Sequence, residues 1–380
     1  MANKRIMIIA GEASGDLHGS SLVRAALSLD PSLHFFGIGG SLMRAEGVET
    51  LVDSREMAVV GLVEVLAHFP TIFRAFRAME KILTRNPPDL LILIDYPDFN
   101  LRLAKVAKSA GVKVLYYISP QVWAWRVGRV KKIARVVDHM AVVFPFEVPF
   151  YEKVGLPVSF VGHPLVDSVH PTMSLDEARE SFGIDPTRRT VGLFPGSRKQ
   201  EIRNHLPILL QSARILKERF PELQFILPLA SSLAREDVRP HLDSCGLSVI
   251  LVEGKGYDVI QVCDAIVSVS GTVTLEIALQ GVPMVIIYQV SPLTYQVAKR
   301  LVRVEHVGIC NIVAGKRVVK ELIQQDAVPE KIVEEIARIL TEPEYSTAIK
   351  TEYAMVRSKL GSGGCSANVA QLLMDILSKD

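Results

Sequence analysis

Short, continuous apolar runs alternate with amphipathic helical patterns along the whole chain. The runs cover residues 5–10, 33–38, 90–94, 113–118, 140–144 and 158–161 in the first half, and residues 190–194, 224–229, 248–252, 265–269 and 284–287 in the second. Runs that are apolar at every position are typical of parallel strands covered on both sheet faces. Strands that alternate with helices predict βαβ units, and ligands then bind at the carboxyl ends of the strands.

The length of 380 residues suits two domains of this kind, each with its own core. A linker is predicted over 162–174, where two prolines precede a new helix that starts at Ser174. We therefore predict an α/β protein with two Rossmann-like, doubly wound parallel-sheet domains, residues 1–170 and 171–342, facing a cleft. Residues 343–380 show helical patterns and no strand, which predicts a tail packed back across the domains or onto a partner subunit.

Composition excludes several classes of protein. The net charge of +2 gives no global argument for nucleic-acid binding. The apolar stretch 6–10 is too short for the hydrophobic region of a signal peptide, and no segment approaches the ~20 apolar residues of a membrane-spanning helix. The four cysteines are scattered without paired metal-ligand spacing. We expect a cytosolic protein with reduced thiols and without structural zinc.

Two turns rich in small residues follow strands at equivalent positions of the two halves: GEASGD at 11–16 and PGSR at 195–198. Each turn leads into a helix, so unpaired N–H groups and the helix dipole point at one spot, which favours an anion. This pairing indicates an enzyme that joins two substrates, at least one of them phosphorylated. Ser14, Gly15 and Asp16 are candidates for binding the acceptor, and a purely structural turn is the alternative.

Asp95 directly follows the apolar run 90–94 and therefore lies at the carboxyl end of a predicted buried strand. Partial burial there raises a carboxyl pKa, which makes Asp95 a candidate general base. The alternative is that it caps the helix starting near Asn100, a role that Asp98 fits better. Asp95 and Asp98 lack the Asp-x-Asp spacing of metal-dependent transferases, so we expect no metal.

Arg198 follows Gly196 and Ser197 at the start of a predicted helix. A capping box of Ser197 with Gln200 accounts for the serine. It does not account for a guanidinium beside a helix N-terminus, where positive charge is already present. A cation and a helix dipole at one place suit a diphosphate leaving group, stabilised by bidentate contacts.

A second strand–turn–helix pattern in the same half contains Ser270, Gly271, Thr272 and Glu276. Its hydroxyl and N–H groups suit a phosphate, and Glu276, one turn into the helix, suits the ribose hydroxyls. An ordinary capped helix with an exposed glutamate is the alternative. Together with Gly196 and the residues beside it, this pattern predicts a nucleotide pocket in the second half.

A block of aromatic and basic residues at 118–126 holds both tryptophans and is followed by further cations up to Arg135. Trp125 and Arg126 within it are candidates for acceptor binding. Aromatic residues interleaved with cations suit single-stranded nucleic acid, a phosphorylated amphiphile or a membrane surface. A tryptophan corner beside a solvated basic helix explains the same residues without any ligand.

A basic amphipathic helix is predicted to begin at Pro70, a favourable first helical residue, and to run to Arg85. Its apolar stripe includes Phe73 and Phe76, and Arg74 and Arg77 recur at helical spacing, after the apolar lead-in that ends with Phe69. Such a helix is typical of an interfacial membrane element or an acyl-chain pocket. An apolar stripe that simply faces the core is the alternative.

Two histidines near the predicted sites have open roles. His163 lies in the predicted linker, and His18 lies in the first helix after the GEASGD turn. Each is expected either to face a site or to make a structural hydrogen bond.

Taken together, these strings resemble the lipid-A-disaccharide synthase family. The strings are GEASGD at 11–16, DYPDFN at 95–100, SPQVWAWR at 119–126, GHPL at 162–165, FPGSR at 194–198, and SGT at 270–272 with Glu276. The resemblance implies a GT-B architecture whose first domain holds the acceptor and whose second holds a UDP-sugar. It also implies an inverting, metal-independent reaction, without a cofactor, of UDP-2,3-diacylglucosamine with 2,3-diacylglucosamine 1-phosphate (lipid X). The resemblance further implies that the protein acts at the cytoplasmic face of the Gram-negative inner membrane, to which it is attached peripherally.

The resemblance also implies roles for single residues. Asp95 takes the proton of the acceptor 6-hydroxyl, Arg198 stabilises the departing diphosphate, and Glu276 binds the ribose. Asn311, ahead of an Ala-Gly pair, matches an asparagine that contacts the donor. The chain lacks the proline that often precedes this asparagine, which predicts a less rigid loop. Members of the family tend to interleave their C-terminal segments between subunits, which implies a homodimer with an exchanged tail.

Two other functions fit the same residues. One is another UDP-sugar enzyme of this architecture, such as a muramyl-type transferase or a UDP-GlcNAc 2-epimerase. An epimerase would need more carboxylates and histidines around the sugar, and no amphipathic element. The other is a non-enzymatic scaffold that senses nucleotide or binds a membrane surface, which would have no need for Asp95.

Overall fold

The computed structural model describes residues 4–57, 62–122, 127–291, 295–296 and 305–378, with backbone alone at 62–69 and 127. The chain forms two compact units. Unit 1 contains residues 1–167 and 360–380, and unit 2 contains residues 168–359.

Unit 1 is built on a seven-stranded parallel sheet with the order β3-β2-β1-β4-β5-β6-β7. Its strands are β1 Arg5–Ala10, β2 His34–Gly39, β3 Glu49–Asp53, β4 Leu90–Ile94, β5 Lys113–Tyr117, β6 His139–Val142 and β7 Val158–Phe160. Its helices up to the linker are α1 Ala13–Leu29, α2 Ser41–Ala45, α3 Leu62–Arg85, α4 Pro97–Ser109, α5 Val130–Ile133, α6 Val148–Glu152 and α7 Pro164–Ser168. Single 3-10 turns lie at Ser54–Glu56, Val127–Arg129 and Pro145–Glu147.

Unit 2 is built on a six-stranded parallel sheet with the order β10-β9-β8-β11-β12-β13. Its strands are β8 Thr190–Phe194, β9 Gln224–Leu229, β10 Val249–Glu253, β11 Ala265–Val269, β12 Met284–Tyr288 and β13 Glu321–Ile323. Its helices are α8 Leu175–Phe182, α9 Lys199–Arg219, α10 Arg235–Ser244, α11 Gly256–Gln261, α12 Val273–Leu279, α13 Ile309–Ala314, α14 Pro329–Thr341 and α15 Pro343–Lys359. A 3-10 turn lies at Gln324–Asp326.

The predicted tail, 343–380, is divided between the units. Helix α15 belongs to unit 2, and the last helix, α16 Cys365–Leu377, belongs to unit 1. In unit 1, α16 packs against α1 and buries Val369 and Leu373 completely. The division follows from these apolar positions, since one face of α16 completes the core on the α1 side of the sheet.

Each sheet contains one position at which the strand order reverses, and this position determines where a ligand site forms. In unit 1, β1 pairs with both β2 and β4, and Ala10 lies beside Ile94. In unit 2, β8 pairs with both β9 and β11. Connections leave the two central strands toward opposite sheet faces, which opens a crevice at the carboxyl ends of those strands.

The predicted fold class of two parallel-sheet α/β domains is confirmed, and each of the eleven predicted apolar runs overlaps a strand. The sequence did not predict β3 and β13. Both lie at sheet edges, as β7 and β10 do, but their residues are partly polar, so no continuous apolar run marks them. The start of the basic helix was also wrong: α3 begins at Leu62 and contains Pro70 inside, because the residues before the proline continue the helix.

Candidate functional sites in the two units

Asp95 lies at the carboxyl end of β4 in a strained backbone conformation. Its φ angle is +45° and that of Tyr96 is +46°, and the N–H of Asp95 donates to the Tyr117 carbonyl at 3.1 Å. Left-handed conformations at residues other than glycine cost about 1–3 kcal/mol each and persist only where the surroundings enforce them. The sharp turn directs the chain from β4 into α4 and leaves the Asp95 side chain at the sheet edge.

Two buried side chains enforce this turn. The Tyr116 hydroxyl donates to the Asp95 carbonyl at 2.6 Å, and the Asn100 side-chain amide donates to the same carbonyl at 2.7 Å. Asn100, which has no exposed surface, also donates to the Ile94 carbonyl at 3.1 Å. Each buried hydrogen bond contributes about 0.5–1.5 kcal/mol, so together they offset much of the backbone strain. Neither residue was predicted from the sequence; the signals were a tyrosine within an apolar run and an asparagine on the apolar face of a helix.

The surroundings of Asp95 raise its pKa toward neutrality. Burial raises its pKa to about 6, the negative charge of Glu12 raises it as well, and the Tyr96 N–H opposes the rise. A base with a pKa just below the working pH is mostly ionised and still accepts a proton readily. Only a glycine at position 11 lets the backbone before Glu12 lie against the Tyr96 ring, because a Cβ atom on residue 11 would be 2.6 Å from that ring. The sequence alone gives Glu12 no role of its own within GEASGD.

Asp16, the last residue of the GEASGD segment, lies in the first turn of α1 and has a structural role. The Asp16 carboxylate is buried and accepts hydrogen bonds from the N–H groups of Gly40, Leu42 and Met43 at 2.7, 3.1 and 3.0 Å. It therefore caps the start of α2, whose first N–H groups have no partner within the helix. The predicted acceptor contact of Asp16 is corrected to a cap.

The rest of the turn has a different environment. Ser14 is exposed at the start of α1, and Gly15 is buried. A Cβ atom added to Gly15 would lie 3.3 Å from the Cβ atom of Ala10, which is a tight contact. Acceptor binding by these two residues remains a prediction. Trp125 and Arg126, the other candidates for acceptor binding, lie outside the described residues.

The two histidines with open roles lie at the same sheet edge. Burial lowers the pKa of His18, and burial together with the charge of His18 lowers the pKa of His163 to about 4. His163 accepts a hydrogen bond from the Leu165 N–H at its Nδ1, and its ring lies 4.8 Å from that of Phe144. Both imidazoles are neutral at pH 7, and that of His163 has a structural partner.

Helix α3 places its predicted membrane residues on two different faces. Phe76, predicted to face the membrane, is half-buried, and its ring packs edge-on against that of Phe99 at 5.6 Å, against the edge of the core. Its role at the membrane stays a prediction. Phe73 is 47% exposed, and the Arg77 guanidinium lies 5.2 Å from its ring.

The exposed face of α3 also carries Arg74, which donates to the carbonyl of Pro70 and to the hydroxyl of Thr71, each at 3.4 Å. Arg77 pairs with Glu80 at 2.8 Å. The side chain of Phe69 lies outside the described residues. The face seen in the structure is therefore Phe73, Arg74 and Arg77.

In unit 2, the register of β8 with β11 places the turn 195–198 beside the turn 270–272 at one sheet edge. The Arg198 side chain is 73% exposed there, and its Nη1 lies 3.6 Å from Glu201 Oε1. The other oxygen, Oε2, accepts from the N–H groups of Ser197 and Arg198 at 2.8 and 3.2 Å. A Cβ on Gly196 would lie 2.4 Å from the same oxygen.

The turn at 196–198 thus holds an anion, but the anion is the protein's own Glu201. The predicted capping box of Ser197 with Gln200 is wrong, because Glu201 caps the backbone N–H groups instead. A diphosphate can use these N–H groups only when Glu201 withdraws. The Arg198 guanidinium, in contrast, is exposed and close to the turn whether or not Glu201 withdraws.

The second turn of unit 2 presents Ser270, Gly271, Thr272 and Glu276 at the same edge. Gly271 and Glu276 are half-buried and Thr272 is exposed. Burial raises the pKa of Glu276, and the Tyr257 hydroxyl, at 3.5 Å from its Oε1, lowers it. The Ser270 hydroxyl donates to the Val307 carbonyl at 2.9 Å, which ties the turn to the loop before α13.

Asn311 was predicted to contact the donor, but its amide is completely buried and fully hydrogen-bonded within unit 2. It donates to the Val319 carbonyl and to Glu321 Oε1 at 2.9 and 2.8 Å, and it accepts from the N–H groups of Val318 and Val319. Glu321 in turn accepts from the N–H groups of Val307 and Gly308. The role of Asn311 is corrected from a direct contact to a positioning residue for the loop beside Ser270.

Metal-binding clusters and membrane-spanning helices are both absent from the described residues. Within residues 4–57, 62–122, 127–291, 295–296 and 305–378, no group of three or more His, Cys, Asp or Glu side chains is arranged to hold a metal ion. Over those same ranges, every helix is too short or too polar to cross a bilayer.

Comparison with known proteins identifies a family over nearly the full chain. The family model described as lipid-A-disaccharide synthetase matches residues 6–372. A lipid-A-disaccharide synthase of Geobacter metallireducens is 68% identical over 377 residues, which cover 99% of this chain and 98% of the relative. A lipid-A-disaccharide synthase of Coxiella burnetii is 45% identical over 377 residues, which cover 99% of this chain and 100% of the relative.

Solved structures show the same fold at low sequence identity. A UDP-GlcNAc 2-epimerase from Neisseria meningitidis, bound to UDP-GlcNAc, superposes with a TM-score of 0.63 at 13% identity and covers 99% of each chain. The calicheamicin glycosyltransferase CalG4 superposes with a TM-score of 0.61 at 15% identity and covers 100% of this chain and 99% of its own. At these identities the likeness concerns the fold alone.

Proposed function

The chain belongs to the lipid-A-disaccharide synthase family, and we propose that Asp95 is the general base of its reaction and Arg198 the residue that stabilises the leaving group. The activity is that of an inverting hexosyltransferase. UDP-2,3-diacylglucosamine and lipid X are joined to give lipid A disaccharide 1-phosphate, and UDP is released. The observation that carries the assignment of Asp95 is its enforced position at the carboxyl end of β4, with a pKa of about 6.

The proposed step transfers one proton and one glycosyl group. The Asp95 carboxylate takes the proton of the acceptor 6-hydroxyl while the hydroxyl oxygen forms a bond to the anomeric carbon of the donor. The bond from that carbon to the diphosphate oxygen breaks, and its electron pair leaves with UDP. Attack from the face opposite the diphosphate inverts the anomeric configuration.

Unit 2 carries the residues proposed for the donor. The Arg198 guanidinium stabilises the charge that develops on the diphosphate, which is where fixed positive charge accelerates such a reaction most. The carboxylate of Glu201 withdraws from the N–H groups of Ser197 and Arg198 as the diphosphate takes its place. Ser270, Gly271 and Thr272 bind phosphate beside Gly196, and Glu276 binds the ribose hydroxyls.

A turnover assay tests the substrates. The purified protein is expected to form disaccharide from UDP-2,3-diacylglucosamine and lipid X, and to form little or none when UDP-GlcNAc replaces the acylated donor. Product is followed by release of UDP and by mass spectrometry. Equal use of the unacylated donor would remove the lipid assignment.

Another UDP-sugar enzyme, such as a muramyl-type transferase or an epimerase, is the alternative function. It draws support only from folds shared at low identity. The relatives at 45–68% identity over the whole chain are lipid-A-disaccharide synthases, so the alternative is not favoured.

Peripheral attachment to the cytoplasmic face of the inner membrane is proposed through the exposed face of α3. Phe73 offers an aromatic ring, and Arg74 and Arg77 offer positive charge to anionic lipid. Each basic residue near such a surface contributes about 1 kcal/mol of binding. A homodimer that exchanges α16 is also proposed; the exchange would open the connection at 360–364, in which three glycines adopt positive φ angles.

The membrane proposal predicts a charge effect. Reversal of both α3 charges, Arg74→Glu with Arg77→Glu, is expected to weaken binding to vesicles with anionic lipid by about tenfold or more. The matched control reverses two exposed arginines of unit 2, Arg214→Glu with Arg239→Glu, and is expected to bind as the unchanged protein does. Vesicle sedimentation at low ionic strength measures both. Unchanged binding of the α3 variant would remove the claim.

A further inference from the structure

A groove with a volume of about 850 Å³ lies in unit 1 between α4 and the segment 128–136. Its apolar lining comes from Leu101, Ile133 and Val136, which are buried or half-buried. Its charged lining consists mainly of cations: Arg102, Lys105, Arg129 and Lys132. The groove therefore combines apolar surface with positive charge, which is the chemistry that an acylated, phosphorylated molecule requires.

Most of this positive charge is uncompensated. Asp98 is the single carboxylate among the lining residues, and it pairs with Arg129 at 2.7 Å. Arg102, Lys105 and Lys132 form no ion pair within the part of the chain that the structure describes. A groove lined by one sign of charge focuses its field and attracts an ion of the opposite sign. An anion in this groove would relieve the mutual repulsion of the cations.

One end of the groove is close along the chain to the proposed base. Asp98 lies three residues after Asp95, in the first turn of α4. The Tyr116 hydroxyl, which donates to the Asp95 carbonyl, lies within electrostatic reach of Arg129. Burial raises the pKa of Tyr116, the charge of Asp95 raises it further, and the charge of Arg129 lowers it. The Asp98 end of the cationic groove is therefore the end nearest along the chain to Asp95, the carboxylate proposed to receive the proton.

We propose that this groove binds the anomeric phosphate of the acceptor, with Arg102 and Lys132 as its main charged contacts and the apolar lining beside an acyl chain. This inference rests on the proposed function, which requires the acceptor 6-hydroxyl at Asp95. The phosphate is on C1 and the 6-hydroxymethyl group is on C5, the two carbons that flank the ring oxygen, so a phosphate in the groove would hold the hydroxyl near Asp95. A phosphomonoester carries nearly two negative charges at neutral pH, which matches the excess of cations.

The test compares acceptors with and without the phosphate. The variants Arg102→Gln and Lys132→Gln remove one exposed cation each, and Lys131→Gln, an exposed neighbour on α5 outside the groove lining, is the matched control. Turnover is measured in detergent micelles with lipid X and with 2,3-diacylglucosamine. Each groove variant is expected to raise the KM for lipid X by about tenfold, with the KM for the donor unchanged. The preference of the enzyme for lipid X over 2,3-diacylglucosamine should fall by the same factor, and Lys131→Gln should leave it intact.

Three results would overturn the proposal. One is an equal loss with both acceptors, and another is an equal loss in Lys131→Gln. The third is weaker binding to anionic vesicles with an unchanged KM in micelles, which would assign the cations to membrane phosphates. Turnover of lipid X by the unchanged protein is measured first and tests the proposed function separately, so the two failures are distinguishable.

Discussion

Replacement of Asp95 by asparagine is expected to lower kcat by about a thousandfold, because a positioned general base contributes about 10²–10⁴ to such a rate. Asparagine keeps the shape of the side chain and tolerates the left-handed backbone at this position well. The hydrogen bonds that Tyr116 and Asn100 donate reach the main-chain carbonyl and do not need the carboxylate. Steady-state kinetics measures kcat, and titration calorimetry with UDP is expected to show an unchanged Kd.

Stability provides the control for this variant. The pKa of Asp95 is raised from its ordinary value of 3.8 to about 6 in the folded protein, so the ionised carboxylate is disfavoured there. The cost is fully present above the folded pKa and disappears as the pH falls from about 6 to 3.8. Asp95→Asn should therefore have a higher Tm than the unchanged protein at mildly alkaline pH, and the difference should vanish in acid. A lower Tm at alkaline pH would attribute the lost activity to misfolding.

Replacement of Arg198 by alanine is expected to lower kcat by about 10²–10³, the typical loss when one group that stabilises developing charge is removed. Arg198→Lys should recover little of this activity, because an ammonium group cannot make the planar, bidentate contact of a guanidinium with a diphosphate. The side chain is 73% exposed, so no loss of fold is expected. Steady-state kinetics of both variants checks the result.

The matched control for Arg198 is Arg203, an exposed arginine on the same helix, α9. Arg203→Ala is expected to keep its kcat within about twofold, since a screened surface charge contributes little. An equal loss in the two alanine variants would reduce the role of Arg198 to general surface charge. An unchanged kcat in Arg198→Ala would remove it from the chemistry.

The sequence was sufficient for the sheets and for the sheet edge at which each candidate site lies. Continuous apolar runs identified the central strands, because burial on both faces requires them to be apolar throughout. Asp95 and the two turns of unit 2 follow such runs directly, so their place at the carboxyl edge could be predicted. The strands β3 and β13 could not, because they contain polar residues and no continuous apolar run marks them, unlike the edge strands β7 and β10.

The sequence did not predict which groups the polar side chains contact. Asp16 and Asn311 were assigned to ligands, but in the structure each makes its hydrogen bonds inside its own unit. Whether a polar group meets a ligand or a backbone N–H depends on which segments the fold brings beside it, and one sequence does not contain that information. The same limit hid Glu201, whose carboxylate occupies the turn predicted for a diphosphate.

The central claim is that the ionised carboxylate of Asp95 takes the proton of the acceptor. The pH dependence of kcat/KM for the UDP-sugar donor, at saturating lipid X, tests it most directly, because the donor diphosphate, unlike the free phosphomonoester of lipid X, does not ionise near pH 6. We expect kcat/KM to level off above the Asp95 pKa of about 6 and to fall below it. The fall should approach about tenfold per pH unit, and the residual activity of Asp95→Asn should lack the inflection. A profile that stays flat through this pKa, or an inflection that persists in Asp95→Asn, would contradict the assignment.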